Sequence, residues 1–117
     1  MKASYNFPSH VKGDTFRKRK ITITKVTNGV TSKEDLTGCD IIMQFKSTPT
    51  SPIKYEFTTL DSSILITNPQ EGEFELQDKI LDVSPLTYMY DCQIKFPDSR
   101  VKTYFGGKHT IVDDVSR

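Results

Sequence analysis

The sequence predicts an all-β domain, an antiparallel sandwich or barrel of seven or eight short strands. The first observation is a period of two in residues 39–46, whose odd positions hold Cys, Ile, Met and Phe. The same period recurs in residues 88–96, whose even positions are apolar or aromatic while positions 91, 93 and 95 are polar. Such alternation is typical of half-buried strands and not of an amphipathic helix.

The other predicted strands are shorter and follow one another at nearly regular spacing. After a long first strand that includes Ile21, they lie at residues 53–57, 64–66, 73–76 and 101–105. Turn signals separate them at residues 27–29, 49–52, 68–69, 84–85, 97–99 and 106–107. Single glycines at positions 13, 29, 38 and 72 are expected at turns with positive φ, and residues 106–107 at a hairpin or a bulge.

Two segments do not fit simple alternation. Phe16 and Ile21 are five positions apart, so a regular strand cannot turn both side chains toward one core. Either the chain bulges within residues 17–20 or Phe16 belongs to a separate edge strand, and we expect a bulge or a strand break there. Residues 77–83 allow a single helical turn, which Ser84 and Pro85 would end.

Length and composition fit one domain over residues 1–117. A chain of 117 residues can bury one core, and 35% of its residues are hydrophobic. The net charge is +1, so the protein creates no long-range field, and neither nucleic-acid coating nor membrane binding is favoured. Residues 1–10 hold one Lys and no apolar run, so we expect no secretory signal and folding in a reducing cytosol.

The two cysteines, Cys39 and Cys92, lie 53 positions apart. That spacing would suit an inter-sheet disulfide of immunoglobulin type, and Tyr90 lies two positions before Cys92, where a tyrosine corner would place it. The sequence has no Trp, and a reducing compartment disfavours the bond. We therefore favour two buried free thiols that act as small hydrophobic residues.

The sequence contains no catalytic pattern. It has no nucleophile motif, phosphate-binding glycine loop or metal-ligand spacing. His10 and His109 lie in segments that look exposed, so we expect ordinary surface or edge histidines. We expect a protein that is not an enzyme and that needs no cofactor or metal.

The sharpest charge feature is a basic run formed by Arg17, Lys18, Arg19 and Lys20. Such a run could contact an acidic protein partner or the phosphates of a nucleic acid. Charges on an edge strand also block unwanted strand addition, and we favour this interpretation. A protein partner is the second possibility and nucleic acid the third. The interleaved aromatic pattern of a single-strand binder is absent.

Two adjacent aromatic residues, Tyr104 and Phe105, form the second candidate feature. On a regular strand they point to opposite faces, so we expect one of them to be exposed to solvent. An exposed ring suits a subunit interface or a sugar-binding platform. Simple packing under a terminal arm is the alternative.

Several short segments of the sequence resemble a known family when they are taken in order. Residues 12–16 read KGDTF, 35–38 DLTG, 72–76 GEFEL, 88–94 YMYDCQI and 103–108 TYFGGK. Their order and spacing resemble small immunoglobulin-like domains of tailed phages and prophages, including the N-terminal domain of the baseplate upper protein of lactococcal-type phages. The resemblance covers about residues 10–116, which is nearly the whole sequence.

The resemblance implies an immunoglobulin-like sandwich and a non-enzymatic virion structural protein that docks on other virion proteins. The basic run and the pair Tyr104 and Phe105 would then contact the partner, and the chain would be a homo-oligomer in the particle after synthesis in the bacterial cytoplasm. Baseplate members carry a longer C-terminal part, whereas this sequence stops at Arg117. We therefore expect an accessory, decoration or adaptor subunit of head or tail, without membrane or nucleic-acid binding. A carbohydrate-binding module that recognises host-surface glycans is the alternative.

Overall fold

The computed structural model describes residues 3–113 and places most of them in β-strands. The strands are β1 (Ala3–Ser4), β2 (Phe7–Val11), β3 (Thr15–Phe16), β4 (Arg19–Thr22), β5 (Thr24–Thr27), β6 (Val30–Lys33), β7 (Asp40–Lys46), β8 (Tyr55–Thr58), β9 (Ile64–Asn68), β10 (Glu73–Leu76), β11 (Lys79–Ile80), β12 (Thr87–Lys95) and β13 (Val101–Val112). Short 3-10 turns occupy Thr59–Asp61 and Pro69–Glu71. The all-β prediction is confirmed.

The strands form two main sheets and two short ribbons. The larger sheet has the order β1-β13-β12-β7-β8, and β2 also pairs with β13. The smaller sheet has the order β4-β10-β9. β11 pairs with β3, and β5 pairs with β6. Residues 3–113 contain thirteen strands, so the predicted count of seven or eight is wrong. Strands of only two residues, such as β1, β3 and β11, are too short to show alternation in the sequence.

Both main sheets contribute to a single hydrophobic core. The predicted alternation is confirmed, because Ile41, Met43 and Phe45 of β7 are buried and so is every second residue of β12. From the smaller sheet, Phe74 and Leu76 are completely buried in the same cluster. The core therefore holds the faces of the two sheets together by apolar burial.

The predicted break in the first strand is confirmed. Phe16 lies on β3 and pairs with Lys79 of β11, whereas Ile21 lies on β4 and pairs with Phe74 of β10. The expected helical turn at residues 77–83 is wrong. The N–H of Leu81 donates to Asp14 O, and Leu81 O accepts from Gly13, so these residues are extended against the chain that enters β3.

The hairpin formed by β5 and β6 projects from the body of the molecule. Asn28 and Gly29 have φ values of 53° and 78°, as the two central residues of a type I′ turn require. Val26 and Val30 are both about two-thirds exposed. This ribbon contributes nothing to the core.

The N-terminal segment crosses β13 at Gly107. The N–H of Tyr5 donates to Gly106 O, and Tyr5 O accepts a hydrogen bond of 2.8 Å from the Tyr90 hydroxyl. A Cβ atom on Gly107 would lie 1.9 Å from Tyr5 O. The expected hairpin or bulge at residues 106–107 is wrong, because both glycines lie inside β13 and pair in continuous register with β12. The Tyr5 carbonyl lies where a Cβ atom of Gly107 would project.

Cys39 and Cys92 are buried free thiols, as predicted. Cys92 lies opposite Met43 on β7, and Cys39 precedes β7 by one residue. Four positions of extended chain, about 13 Å, separate Cys39 from Met43, the cross-strand partner of Cys92. Cys39 is therefore farther from Cys92 than the Cα separation that a disulfide spans. Burial raises the pKa of Cys92 to about 12, so its thiol is un-ionised at neutral pH.

We predict that Gly107→Ala lowers the free energy of unfolding by about 2–3 kcal/mol, because the methyl group collides with backbone atoms that cannot simply rotate away. Urea denaturation measures the change. Lys108→Ala is the control, since Lys108 is exposed on the same strand and its truncation should change stability by less than about 0.5 kcal/mol. Equal stability of the two variants would contradict this account of Gly107.

Candidate docking cleft

Four of the six residues that the sequence predicts for partner binding line one cleft. These are Arg19, Lys20, Tyr104 and Phe105. The cleft has a volume of about 430 Å³, and its other lining residues are Tyr5, Ile21, Thr22, Ile23 and Thr24. Arg17 and Lys18 lie outside it, in the connection between β3 and β4. The fold thus brings together most of two features that are 84 residues apart in sequence.

Both walls of the cleft are strand edges. β4 is the end strand of the smaller sheet and, among residues 3–113, pairs only with β10. On the other wall, the pairing of β13 with β1 begins at Phe105. In the described part of the chain, residues 101–104 of β13 therefore have β12 as their only strand neighbour. The cleft thus lies between the end strand of the smaller sheet and β13 of the larger one.

The floor of the cleft is apolar and its rim is polar. Ile23 and Phe105 are buried, while Ile21 and Tyr104 are partly buried against the core. Lys20 and the two threonines of the lining are exposed. Protein-protein interfaces have this arrangement of an apolar centre within a polar rim. Ile21 and Ile23 were not predicted as lining residues, although their alternation with Thr22 and Thr24 was the available signal.

The expected exposure of Tyr104 or Phe105 is wrong. Phe105 is 8% exposed, and Tyr104 is partly buried. The reason is a bulge, because Cys92 lies opposite Phe105 and Gln93 lies opposite Thr103, which leaves Tyr104 without a partner residue on β12. The strict alternation that the expectation assumed is therefore interrupted at Tyr104.

Tyr104 is fixed by a polar pair beneath the cleft. Its hydroxyl donates to Glu34 Oε1, and Lys25 Nζ lies 3.2 Å from Glu34 Oε2. Burial acts to raise the pKa of Glu34, but the hydrogen bonds from Tyr104 and Lys25 outweigh it and leave that pKa below its ordinary value. Glu34 is thus ionised at neutral pH and holds β13 to the segment that follows β6.

The basic run is divided among several local contacts. Arg17 Nε lies 3.9 Å from Asp78, whose carboxylate also accepts from the N–H of Lys18. Lys20 Nζ lies 3.8 Å from Glu73. These exposed pairs contribute little to stability. The first two residues of the run lie in the connection between β3 and β4, and the last two lie on β4. Only the last two face the cleft.

Arg19 connects the cleft to the N-terminal segment. Its guanidinium donates to the Tyr5 hydroxyl and lies 5.5 Å from the centre of the Phe7 ring. The hydroxyl and the ring together hold the cation in place at one end of the cleft. Arg19 is therefore a fixed positive charge at this position.

The expectation that both histidines lie at the surface is wrong for His109. This residue is 1% exposed, and its Nδ1 lies 2.8 Å from the Tyr55 hydroxyl. Burial, followed by the nearby charges of His10 and Arg19, lowers the pKa of His109 to about 4. His10 is partly exposed on β2, and its Nε2 lies 2.9 Å from Asp14 O. His109 is a neutral core residue at pH 7.

A larger depression, of about 740 Å³, lies on the outer face of the larger sheet. It is lined by residues of β7, β12 and β13, among them Gln44, Met89 and Gln93. It contains none of the residues that the sequence predicts for partner binding.

Within residues 3–113, no group of three or more His, Cys, Asp or Glu side chains could hold a metal ion. No helix in the same range is both long and apolar enough to cross a membrane. No family model matches the sequence, and a search of curated proteins finds no match.

We predict that the protein loses stability between pH 6.5 and pH 4 because of His109. In this range the histidine binds a proton in the unfolded state but not in the native state. The free energy of unfolding therefore decreases as the pH is lowered. From the pKa of about 4, the loss at pH 5.0 relative to pH 7.5 is about 2 kcal/mol. Urea denaturation at several pH values measures it.

The control for this pH dependence is His109→Gln, which keeps a polar side chain but does not titrate. Its free energy of unfolding should change much less between pH 7.5 and pH 5.0 than that of the parent protein. The same pH dependence in both proteins would assign the effect to other groups.

Proposed function

We propose that this protein is a non-enzymatic structural subunit of a phage particle, an accessory, decoration or adaptor protein that docks on other virion proteins through the cleft. The observation that carries the proposal is the meeting of Arg19 and Lys20 with Tyr104 and Phe105 at an open sheet edge. An apolar floor supplies contact area, and the fixed charges around it select the partner.

An immunoglobulin-like sandwich is part of the proposal, and the strand order supports it. The order β1-β13-β12-β7-β8 corresponds to strands A′, G, F, C and C′ of such domains, and β4-β10-β9 to B, E and D. Tyr88 at the start of β12 donates a 2.7 Å hydrogen bond to Ser84 O. A tyrosine corner makes this contact, and Tyr88 makes it in place of Tyr90, which bonds to Tyr5 O.

Self-association in the assembled particle belongs to the same proposal, and we assign it to a surface other than the edge of β4. Two copies that met along β4 would bring Arg19 and Lys20 of one copy against those of the other. Like charges on facing strands are destabilising. The depression on the outer face of the larger sheet is lined by Asp91 as well as by Lys46 and Lys108, so its mixed charges make it the better surface for contacts between copies.

The carbohydrate alternative gains no support from Tyr104. Lys102 Nζ lies 4.7 Å from the centre of its ring, and the hydroxyl is bonded to Glu34. A sugar platform needs an accessible ring face, whereas this ring is covered by a cation and partly buried. We therefore keep docking on proteins as the proposed function.

We predict that Lys20→Glu lowers the number of copies of this protein per purified virion at least tenfold, because the change reverses a charge at the rim of the cleft. Quantitative mass spectrometry of virions from the phage that encodes this chain measures the copies. The matched control is Lys54→Glu, since Lys54 is exposed outside the cleft, and that variant should be incorporated normally.

Absence of the unmodified protein from intact virions, although it is expressed in infected cells, would overturn the proposed function. Normal incorporation of both charge variants would leave a virion protein but would overturn the assignment of docking to the cleft. Far-ultraviolet circular dichroism of both purified variants shows that they are folded.

A further inference from the structure

We propose that the cleft binds an extended, acidic segment of a partner protein, which adds to the smaller sheet as a fourth strand beside β4. This inference rests on the proposed function and specifies how docking occurs. Strand addition uses backbone hydrogen bonds for affinity and side-chain pockets for specificity. The cleft offers both along the same line of residues.

The backbone of β4 presents donors to the cleft. Ile23 N–H donates to Gly72 O, on the side of β10, at 2.8 Å. Because successive N–H groups of a strand point to opposite sides, those of Lys20 and Thr22 point away from β10, toward the open edge. The cleft follows residues 19–24, which comprise the four residues of β4, then Ile23 and the first residue of β5, about 20 Å of extended chain in all. That length fits a strand of about six residues.

The side chains of β4 and of Ile23, which follows it, define what the added strand must carry. Ile21 and Ile23 face the apolar floor, whereas Lys20 and Thr22 are exposed. Cross-strand neighbours share a face, so every second residue of the incoming segment is apolar and the others lie beside Lys20 and the threonines. Carboxylates at these outer positions would be paired with a cation.

The charges around the cleft favour acidic residues in the partner. Arg19 and Lys20 line one wall, and Lys102 lies over the ring of Tyr104 on the other. Of the nearby carboxylates, Glu34 is engaged with Tyr104 and Lys25, whereas Glu73 is paired with Lys20 and would share that cation with an incoming carboxylate. The same cations disfavour a second copy of β4 in this position.

Nucleic acid fits the cleft less well than an acidic peptide. Binding of single strands depends on aromatic faces on which bases stack. The ring of Tyr104 is covered by Lys102, and Phe105 is buried. A row of backbone donors beside an apolar floor matches another protein strand instead.

The test uses three synthetic peptides with the intact protein. The first is acetyl-EVDIEVDI-amide, which alternates acidic and apolar residues. The second, acetyl-QVNIQVNI-amide, has the same shape without charge. The third is the first peptide with alternate backbone nitrogens methylated, so that it keeps its charges but cannot donate along one edge. NMR titration and amide hydrogen exchange measure binding and the protection of the edge of β4.

We expect the acidic peptide to bind and to slow hydrogen exchange of the Lys20 and Thr22 amides. Loss of charge should weaken binding about tenfold, and N-methylation at least tenfold. Lys20→Glu should weaken binding of the acidic peptide about tenfold, while Lys54→Glu should bind it like the parent protein. The uncharged peptide should not distinguish these two variants.

Equal binding of the methylated and parent peptides would overturn strand addition, even if the cleft variants reduce incorporation into virions. Equal binding of the charged and uncharged peptides would overturn the acidic partner. Tighter binding of a twelve-nucleotide oligothymidine than of the acidic peptide, lost in Lys20→Glu, would replace the proposal with nucleic-acid binding. Failure of the acidic peptide to bind at millimolar concentration would overturn the inference. The proposed function would not be affected, because incorporation into virions tests it separately.

Discussion

The position of the N-terminal segment on β13 decides which sheet edges the molecule leaves open. β1 and β2 both pair with β13 in parallel, so among the described residues neither covers β4. Between β1 and β2, the Tyr5 carbonyl lies where a side chain at position 107 would project. Its oxygen accepts a hydrogen bond from the Tyr90 hydroxyl. The absence of a Cβ at Gly107 thus permits the close approach that fixes the segment. Since the segment is committed to the larger sheet, the smaller sheet ends at β4, and the cleft is the space that results.

Under the proposed docking, the charges on β4 serve two purposes, edge protection and partner choice, that the sequence offers as alternatives. A free edge with unpaired donors is a site for unwanted association, and Lys and Arg on the edge oppose it. Opposition to a second basic strand is at the same time selection for an acidic one. Arg19 is held by Tyr5 and Phe7, so its charge does not have to be ordered when a partner arrives. Under the proposed docking, edge protection and partner choice are therefore consequences of one arrangement.

Alternation along single strands was enough to predict the core but not the cleft. The period of two in β7 and β12 is local, and it correctly predicts the burial of residues such as Met43 and Cys92. The exposure of His109 was predicted wrongly because its burial depends on Tyr55, a distant residue. Tyr104 was misplaced because a bulge opposite β12 interrupts the alternation. Arg19 and Phe105 line one cleft only because the fold brings strands of two different sheets together, and a single sequence carries no signal for that meeting.

Both walls of the cleft are held in place before any partner binds. β4 is fixed through its pairing with β10, and the first part of β13 is fixed through its pairing with β12. The hydrogen bond from Tyr104 to Glu34 holds this part of β13 to the segment after β6, and Glu34 also forms an ion pair with Lys25. When a binding site becomes ordered only on association, the loss of its conformational freedom reduces affinity. In the proposed strand addition, the loss of conformational freedom would therefore fall mainly on the incoming segment.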